Sequence, residues 1–190
     1  HTLSTDSKVQ NVEIIKSHSS GSTLDLTGQS EGFTVTGNAG VDTFTGGAGA
    51  DIITGAAGND IITGGNSGDT ITGGDGDDSI TGGAGADTIN VDAGTDTVTD
   101  LATNDILIVS NTATANATNI SAFVATSGSS NSGTATLSTT SGGGTIDMTN
   151  SASGAYTVNG GAGIDTLTGG TGNDIICLLY TSPSPRDSDS

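Results

Sequence analysis

The sequence predicts an all-β protein, a right-handed parallel β-roll with β-rich flanking segments. Three observations predict it: an aspartate recurs every nine residues, a large apolar residue follows each one two positions later, and glycines crowd the positions before it. A short fixed period is typical of solenoids, in which each repeat buries its apolar face against its neighbours. The aspartates on this period are Asp42, Asp51, Asp60, Asp69, Asp78, Asp87, Asp96 and Asp105.

The repeat unit is a nonapeptide of the form GGxGxDxUx, where U is a large apolar residue, and the blocks at 46–54 and 82–90 are clear examples. We interpret it as six turn residues followed by three strand residues, with glycines at positions 1, 2 and 4 adopting positive φ. Side chains alternate along a strand, so position 8 points inward and the threonines of position 9 point outward. Two units form a coil of eighteen residues. The predicted inward residues are Phe44, Ile53, Ile62, Ile71, Ile80, Ile89, Val98 and Leu107, with Val35 and Leu26 upstream.

Composition alone would favour disorder, because Leu, Ile, Val and Phe make up 37 of 190 residues and the net charge is −18. The phased apolar residues argue against that. Charge placement is a second constraint: no Lys or Arg lies between Lys16 and Arg186, while residues 37–108 hold twelve aspartates. Carboxylates stacked at strand spacing would repel by about 3 kcal/mol per pair. An external cation is therefore required, and nucleic acid is excluded as a partner.

The donor atoms indicate which cation. Calcium takes six to eight oxygen ligands from carboxylates and backbone carbonyls, whereas magnesium prefers a tighter octahedron with retained water. Zinc would require His or Cys, which the repeats lack. Several calcium ions are therefore expected, each between consecutive members of one row of aspartates. An eighteen-residue coil sorts them into a first row (Asp42, Asp60, Asp78, Asp96) and a second row (Asp51, Asp69, Asp87, Asp105).

With these motifs the chain resembles the RTX, or haemolysin-type, calcium-binding repeat family, over 37–108 and again over 160–176. The resemblance implies that turn carbonyls and aspartate side chains share each ion, and that Asp165 and Asp174 restart the array. The chain departs from the motif at Ala56 and Ser67, which replace glycines, and in its last two units, which lack the leading glycines. The carbonyls implied as further ligands are those of Gly47, Gly49, Gly58, Gly74, Gly76, Gly83 and Gly85.

The predicted organisation has five parts. Residues 1–36 form a β entry segment with a strand near Val12, Ile14 and Ile15, and 37–108 form the roll, capped by the apolar run 106–109. Residues 109–144 are a Ser/Thr/Ala/Gly-rich connector that is either β-structure or a spacer. Residues 145–176 begin a second module, a near copy of the segment from Thr23. The tail 177–190 resembles a translated sequencing adapter and is expected to be non-native.

The expected function is that of a non-enzymatic calcium-binding module that folds outside the cell, within a large secreted or surface protein such as a surface-layer protein or adhesin. Other copies of the chain and cell-surface polysaccharide are further candidate partners. One alternative is the export module of a type I-secreted enzyme or toxin. A lesser alternative is an ice-binding solenoid, although Ile52, Ile61 and Ile106 interrupt the outward threonines.

Two further features of the sequence favour this interpretation over an enzyme or a membrane protein. The G-x-S-x-G motif at 28–32 follows both histidines and lies in a degenerate repeat, so no catalytic site is predicted. No apolar run approaches the length of a membrane span, so no transmembrane segment is predicted.

Overall fold

The structure is a computed structural model that describes residues 14–17 and 21–179. Among these residues every regular element is a β-strand and there is no helix. Val12 of the predicted entry strand lies outside the described residues, as does most of the tail. The strands are β1 Ile14–Lys16, β2 Thr23–Asp25, β3 Thr34–Thr36, β4 Thr43–Thr45, β5 Ile52–Ala57, β6 Ile61–Asn66, β7 Thr70–Asp75, β8 Ser79–Ala84, β9 Thr88–Val91, β10 Gly94–Thr99, β11 Ile106–Val109, β12 Ala113–Ile120, β13 Ala122–Val124, β14 Ser130–Asn131, β15 Thr134–Thr139, β16 Thr145–Asp147, β17 Thr157–Gly160, β18 Thr166–Thr168 and β19 Ile175–Leu178.

Consecutive strands alternate between two long parallel sheets, which is the arrangement of a β-roll. The first has the order β1-β3-β5-β7-β9-β11-β14, and the second runs β2-β4-β6-β8-β10-β12-β15-β17-β19. Each coil therefore contributes one strand to each sheet, and every pairing is parallel. The predicted all-β parallel solenoid is confirmed, with about 9 turns.

The core between the sheets is a ladder of apolar side chains at position 8. In-register pairs such as Ile53 with Ile71 and Ile62 with Ile80 repeat every eighteen residues, and these side chains are at most 1% exposed. The prediction is wrong in one detail. Leu24, not Leu26, pairs with Phe44 in the ladder, because twenty residues separate β2 from β4. Leu26 is also buried, but it follows the end of β2.

The strands of the central coils are longer than predicted. Strands β5 to β8 each have six residues and run from position 7 through position 3 of the next unit. Backbone pairing continues into the glycines, as in Ala56 with Gly74 and Gly65 with Gly83. The three-residue strand prediction was wrong because residues without side chains allow adjacent coils to approach and pair along most of the turn.

Glycine is needed in the repeat for two different reasons. At positions 2 and 4 of the units between residues 55 and 90 the backbone is left-handed, with φ of 111° at Gly74 and 128° at Gly76. The position 1 glycines do not adopt that conformation, which corrects the prediction. Instead they lack space: a Cβ on Gly64 would lie 2.4 Å from Asp69 Oδ2 and 2.5 Å from the Gly82 carbonyl oxygen.

The solenoid continues beyond residue 108. The run Ile106–Val109 is β11, which pairs with β9 on one side and with β14 on the other, so it does not cap the stack. Residues 109–144 form β-structure continuous with the roll, which decides between the two interpretations of this segment. The coils widen there, since Thr114 pairs with Thr134 and Ala122 with Thr145.

The wider coils add a third sheet, β13-β16-β18. Pairing also crosses the predicted start of the tail, because β19 includes Cys177 and Leu178, which pair with Asn159 and Gly160.

Replacing Ala56 by glycine is expected to stabilise the protein. Ala56 has a φ of 91°, at the position where Gly74 and Gly83 stand in later coils. A left-handed conformation costs a residue with a side chain roughly 1–2 kcal/mol, so Ala56→Gly should raise the free energy of unfolding by about 1 kcal/mol. The matched control is Ala57→Gly, where φ is not positive and a loss of about 0.5–1 kcal/mol is expected. Urea denaturation in saturating calcium measures both, and equal losses would contradict the strain at Ala56.

Candidate metal centre

The eight periodic aspartates lie at the starts of strands, in two rows. Those of the second row directly precede β5, β7, β9 and β11, which belong to the seven-stranded sheet. In the first row Asp42, Asp60 and Asp78 directly precede β4, β6 and β8 of the nine-stranded sheet, and Asp96 lies within β10. All eight are at most 3% exposed. The structure therefore sorts the aspartates into the two rows that the sequence predicts and withdraws their carboxylates from water.

In every periodic aspartate from Asp51 to Asp105, one carboxylate oxygen binds the backbone of the preceding coil. Asp60 Oδ1 accepts the backbone N–H of Asp42, and Asp78 Oδ1 accepts that of Asp60. The same bond recurs along both rows at 2.7 to 2.9 Å, always from the residue eighteen positions earlier. Each carboxylate thus lies against the backbone of the neighbouring turn, which brings consecutive members of a row close together.

The second carboxylate oxygen has no hydrogen-bond partner in the middle of the array. Oδ2 is buried and unpartnered in Asp60, Asp69, Asp78, Asp87 and Asp96. At three of the four row ends it has a partner, since Asp42, Asp51 and Asp105 accept N–H groups of Asn38, Gly47 and Ala102 through Oδ2, whereas Asp96 ends the first row without one. A buried unsatisfied polar group costs about 1–3 kcal/mol, and more when charged. With the unpartnered Oδ1 of Asp42, six such oxygens in the two rows indicate places for cations.

Backbone carbonyls point at the same places. A Cβ on Gly46 would lie 2.4 Å from Asp51 Oδ2 and 1.9 Å from the carbonyl oxygen of Gly64 in the next coil. At Gly55 the corresponding distances are 2.3 Å to Asp60 Oδ2 and 2.5 Å to the Gly73 carbonyl oxygen. A carboxylate oxygen and a carbonyl oxygen therefore converge above each of these glycines. Such a mixed set of hard oxygens fits calcium.

These converging carbonyls belong to position 1 glycines, which the sequence analysis missed. The sequence signal is the recurrence of glycine at position 1 in six consecutive units. Because φ is not positive there, close approach of other atoms explains the glycine. The predicted carbonyls of Gly47 and Gly74 accept inter-coil bonds from Asn66 and Ala93. Those of Gly58 and Gly76 lie against the glycine of the next turn. Ligation by these and by Gly49, Gly83 and Gly85 stays a prediction.

The electrostatics of the array are unfavourable without a cation. Burial raises the pKa of Asp69 to about 7, and the charges of Asp51 and Asp87 add to the effect. Burial likewise raises the pKa of Asp96 and of Asp105 to about 6, with contributions from neighbouring aspartates. Within the described part of the chain no three Asp, Glu, His or Cys side chains are grouped tightly enough to hold an ion by themselves. Aspartates paired with carbonyls remain the available donor set, and it fits calcium.

Asp165 and Asp174 repeat the same hydrogen bonds in the last coils. Asp174 accepts the N–H of Tyr156, eighteen residues earlier, through Oδ1 and that of Gly170 through Oδ2. Asp165 accepts the N–H of Gly144, twenty-one residues earlier. Both carboxylates are half-buried. Their backbone contacts are those of the main array, and a role as ligands stays a prediction.

Aspartates outside the nine-residue period have other partners. Asp25 and Asp147 each accept the N–H and hydroxyl of the threonine two positions later, and these bonds lower the pKa of both. Asp77 accepts the N–H of Thr95, and Asp100 accepts two N–H groups of the preceding coil. Both side chains are exposed, as expected for charges outside the period, and they also hold neighbouring coils through these hydrogen bonds.

The serine of the G-x-S-x-G motif lies in an exposed connection between strands. Ser30 is exposed, and its hydroxyl lies 3.3 Å from Glu31 Oε2 in a connection between β2 and β3. His1 and His18, the histidines of the chain, lie outside the described residues.

Comparison with protein families agrees with this geometry. The sequence profile of the RTX calcium-binding nonapeptide repeat (4 copies) matches residues 36–71, 63–98 and 154–178. The chain is a member of the RTX calcium-binding repeat family. Members of this family bind several calcium ions per repeat array, and the repeat β-roll is a structural calcium-binding module. No curated protein and no solved structure matches the chain. Over residues 14–17 and 21–179 there is no helix long and apolar enough to cross a membrane.

Low pH is expected to stabilise the calcium-free folded state in part, because protons neutralise the buried aspartates as calcium would. The folded-state pKa of Asp69 is about 7 and its ordinary value is 3.8, so the calcium-free folded state binds protons more tightly than the unfolded state. Its stability is therefore greatest at low pH and falls as the pH rises through the interval between those two values. Circular dichroism in chelator should show more β-structure at about pH 5 than at about pH 8. Less β-structure at the lower pH would contradict the burial of the array.

Proposed function

We propose that this RTX chain is a structural module that folds when calcium reaches it outside the cell, within a large secreted or surface-attached protein. One observation carries the proposal: the six buried, unpartnered aspartate oxygens of the two rows, five Oδ2 atoms and Asp42 Oδ1. Four of the Oδ2 atoms, those of Asp60, Asp69, Asp78 and Asp87, lie beside a position 1 glycine. Every one of the six carboxylates has another periodic carboxylate one coil away, so the folded roll concentrates negative charge at both edges.

Folding coupled to calcium follows from the charges. No Lys or Arg lies between Lys16 and Arg186, so the chain offers no basic side chain to neutralise the array. Stacked carboxylates at coil spacing repel by about 3 kcal/mol per pair, and several such pairs exceed the net stability of an ordinary domain. Calcium bound to the folded state and not to the unfolded chain reverses this balance. Without calcium the roll therefore stays loose.

An extracellular place of action suits this mechanism. Extracellular calcium modules are tuned to about 0.1–1 mM, and the cytosolic concentration is far lower. A chain that stays unfolded inside the cell also suits export through a channel. Resemblance between the segments from Thr23 and Thr145 favours a repetitive parent such as a surface-layer protein or adhesin. A protease or lipase domain elsewhere in the parent protein would instead make the chain the export module of an enzyme or toxin.

A calcium titration of the full chain tests the proposal. Circular dichroism should change from a largely unfolded spectrum in chelator to a β-sheet spectrum at about 1 mM calcium. Magnesium at the same concentration is the control and should have a much smaller effect, because it dehydrates reluctantly and prefers octahedral sites. An unchanged spectrum from chelator to saturating calcium would rule out coupled folding, and an equal response to magnesium would rule out calcium selectivity.

The structure gives one specific observation in favour of ice binding as a second candidate. Threonines at position 9 of the nine-stranded sheet form an unbroken outward column in register. Of the interrupting isoleucines, Ile52 and Ile106 belong to the other sheet, and Ile61 lies at position 7 of this sheet, in the neighbouring column. The threonine column is not visible in the sequence when the strands of both sheets are taken together. The members of the column are Thr45, Thr63, Thr81, Thr99 and Thr118. A flat, regular hydroxyl face is what a solenoid that binds an ordered water surface would need.

Ice shaping by the calcium-loaded chain tests the second candidate. If the threonine column binds ice, Thr81→Lys should abolish thermal hysteresis, because a long charged side chain disrupts a flat face. Thr72→Lys, at the same repeat position in the seven-stranded sheet, is the matched control and should retain it. Absence of thermal hysteresis in the unmodified, calcium-loaded chain would exclude this function.

A further inference from the structure

Three turns follow one another along one edge of the solenoid, where the coils begin to widen. In each turn the last residue donates its N–H to the carbonyl three positions earlier. The turns are 102–105, 126–129 and 148–151, with N–O distances of 3.3, 3.0 and 2.9 Å. Hydrogen bonds join neighbouring turns, since the Thr103 hydroxyl lies 3.5 Å from the Ala122 carbonyl oxygen and the Ala152 N–H donates to the Ser129 carbonyl. The edge therefore continues past Asp105 without an aspartate row.

A cleft of about 420 Å³ runs across these turns, with residues of all three in its wall. The volume lies at the lower end of the range for small-molecule sites, roughly 300–1,000 Å³. Val124 and Ala125 supply the apolar part of the wall. None of the described residues that line the cleft is acidic or basic, although the chain has a net charge of −18. The polar members of the lining are Thr103, Asn104, Thr126, Ser127 and Asn150.

Three of these polar side chains are available to a ligand. The Thr126 hydroxyl oxygen already accepts the Gly128 N–H at 3.2 Å. In contrast, no side-chain hydrogen bond joins Asn104, Ser127 or Asn150 to the described part of the chain, and all three residues are exposed. Each amide is both a donor and an acceptor, and so is the hydroxyl. The cleft therefore offers neutral hydrogen-bonding groups of both kinds, one residue from each turn.

The backbone at Asn104 gives a second reason to consider a ligand. Its φ is 79°, in the left-handed region, at the third position of the turn 102–105. Glycine is the least strained residue at such a position, and asparagine is tolerated. The turn thus keeps an amide at the cleft where glycine would fit the backbone better. A residue held in a sparsely populated conformation beside a cavity is a reason to ask what its side chain binds.

The chemistry of the lining selects one class of ligand. The hydroxyls of a sugar both donate and accept hydrogen bonds, so they match amides and hydroxyls, and the C–H face of a sugar ring suits an apolar surface such as Val124. An anion would be repelled by the strongly negative chain. A cation would find carboxylates in the two aspartate rows and none in the lining of this cleft.

We propose that the cleft across the three turns binds a neutral saccharide, held by the amides of Asn104 and Asn150 and the hydroxyl of Ser127. This inference goes beyond calcium-coupled folding and gives the candidate polysaccharide partner a place on the chain. The cleft exists only in the folded solenoid, because its wall is built from turns of different coils. Its test therefore uses the full chain in saturating calcium.

Nuclear magnetic resonance of the full chain tests the inference, since asparagine side-chain amides give their own signals. The probes are glucose, galactose, mannose and N-acetylglucosamine, each titrated to millimolar concentration. At least one of them should shift the amide signals of Asn104 and Asn150 in a saturable way. The amide signals of Asn66, an exposed asparagine at the end of β6, should stay unchanged. Glucuronic acid, which carries a carboxylate, should bind more weakly than glucose.

Two variants test the named side chains. Asn104→Gly removes one amide and keeps the left-handed backbone, because glycine adopts positive φ without strain. It should raise the dissociation constant of the bound sugar at least about tenfold, and Asn150→Ala should do the same from the third turn. Asn66→Ala is the matched control, because the Asn66 side chain is also exposed and has no hydrogen bond to the described part of the chain. Its dissociation constant should equal that of the unmodified chain.

Each outcome decides something. Absence of a saturable shift with all four neutral sugars overturns the inference, and so does an unchanged dissociation constant in both Asn104→Gly and Asn150→Ala. Tighter binding of glucuronic acid than of glucose also contradicts a site for neutral ligands. If Asn104→Gly lacks β-structure in calcium, Asn150→Ala alone decides. A chain that is equally folded with and without calcium would refute coupled folding and still permit the sugar titration, so the two failures are distinguishable.

Discussion

The stacking of aspartates at the coil repeat is the constraint on which the rest of this structure depends. From Asp60 onward, each periodic carboxylate accepts the backbone N–H of the aspartate one coil earlier in its row, so coils cannot slide past each other without breaking both rows. The same contact places like charges one strand spacing apart in a buried environment. The interaction that fixes the register therefore also makes the empty roll electrostatically unfavourable, and a divalent cation resolves both effects at once.

Much of this could be predicted from the sequence because the repeat is strict. A nine-residue period with an apolar residue two places after each aspartate determines which side chains face inward, and Ile62 and Ile80 are fully buried as expected. The period also determines the two rows. What it could not reveal was the reason for each glycine: the letters are identical at positions 1 and 2, yet Gly64 lacks space for a side chain and Gly65 has a φ of 125°.

The other predictions that the structure corrects concern residues at the end of the nine-residue period. Residues 109–144 carry no nonapeptide, yet they pair in register with the roll through β12 and β14, because parallel strands need matching backbones and not matching side chains. The apolar run 106–109 resembles a cap in the sequence, since an end strand and an internal buried strand have the same composition. The hydrogen bonds of Asp100 could not be predicted for a related reason: the residue falls on a lost glycine, and only the structure shows that its carboxylate accepts the N–H groups of Gly82 and Gly83.

The two halves of the solenoid differ in the polar side chains that lie at the turns between their strands. Asp147, in a turn with Thr149, is the one acidic residue between Asp105 and Asp165, so these coils do not carry stacked carboxylates.

Neutral polar groups take their place: Ser151 Oγ lies 2.9 Å from the Tyr156 hydroxyl oxygen and donates to the Ser129 carbonyl. A section that needs no cation is therefore joined by continuous strand pairing to a section that does. The section without stacked carboxylates therefore presents strands that are already paired, at the spacing of the sheet, to the turn that contains Asp105. Ordering of the charged coils can then proceed from that end, one cation and one coil at a time, without a separate nucleus.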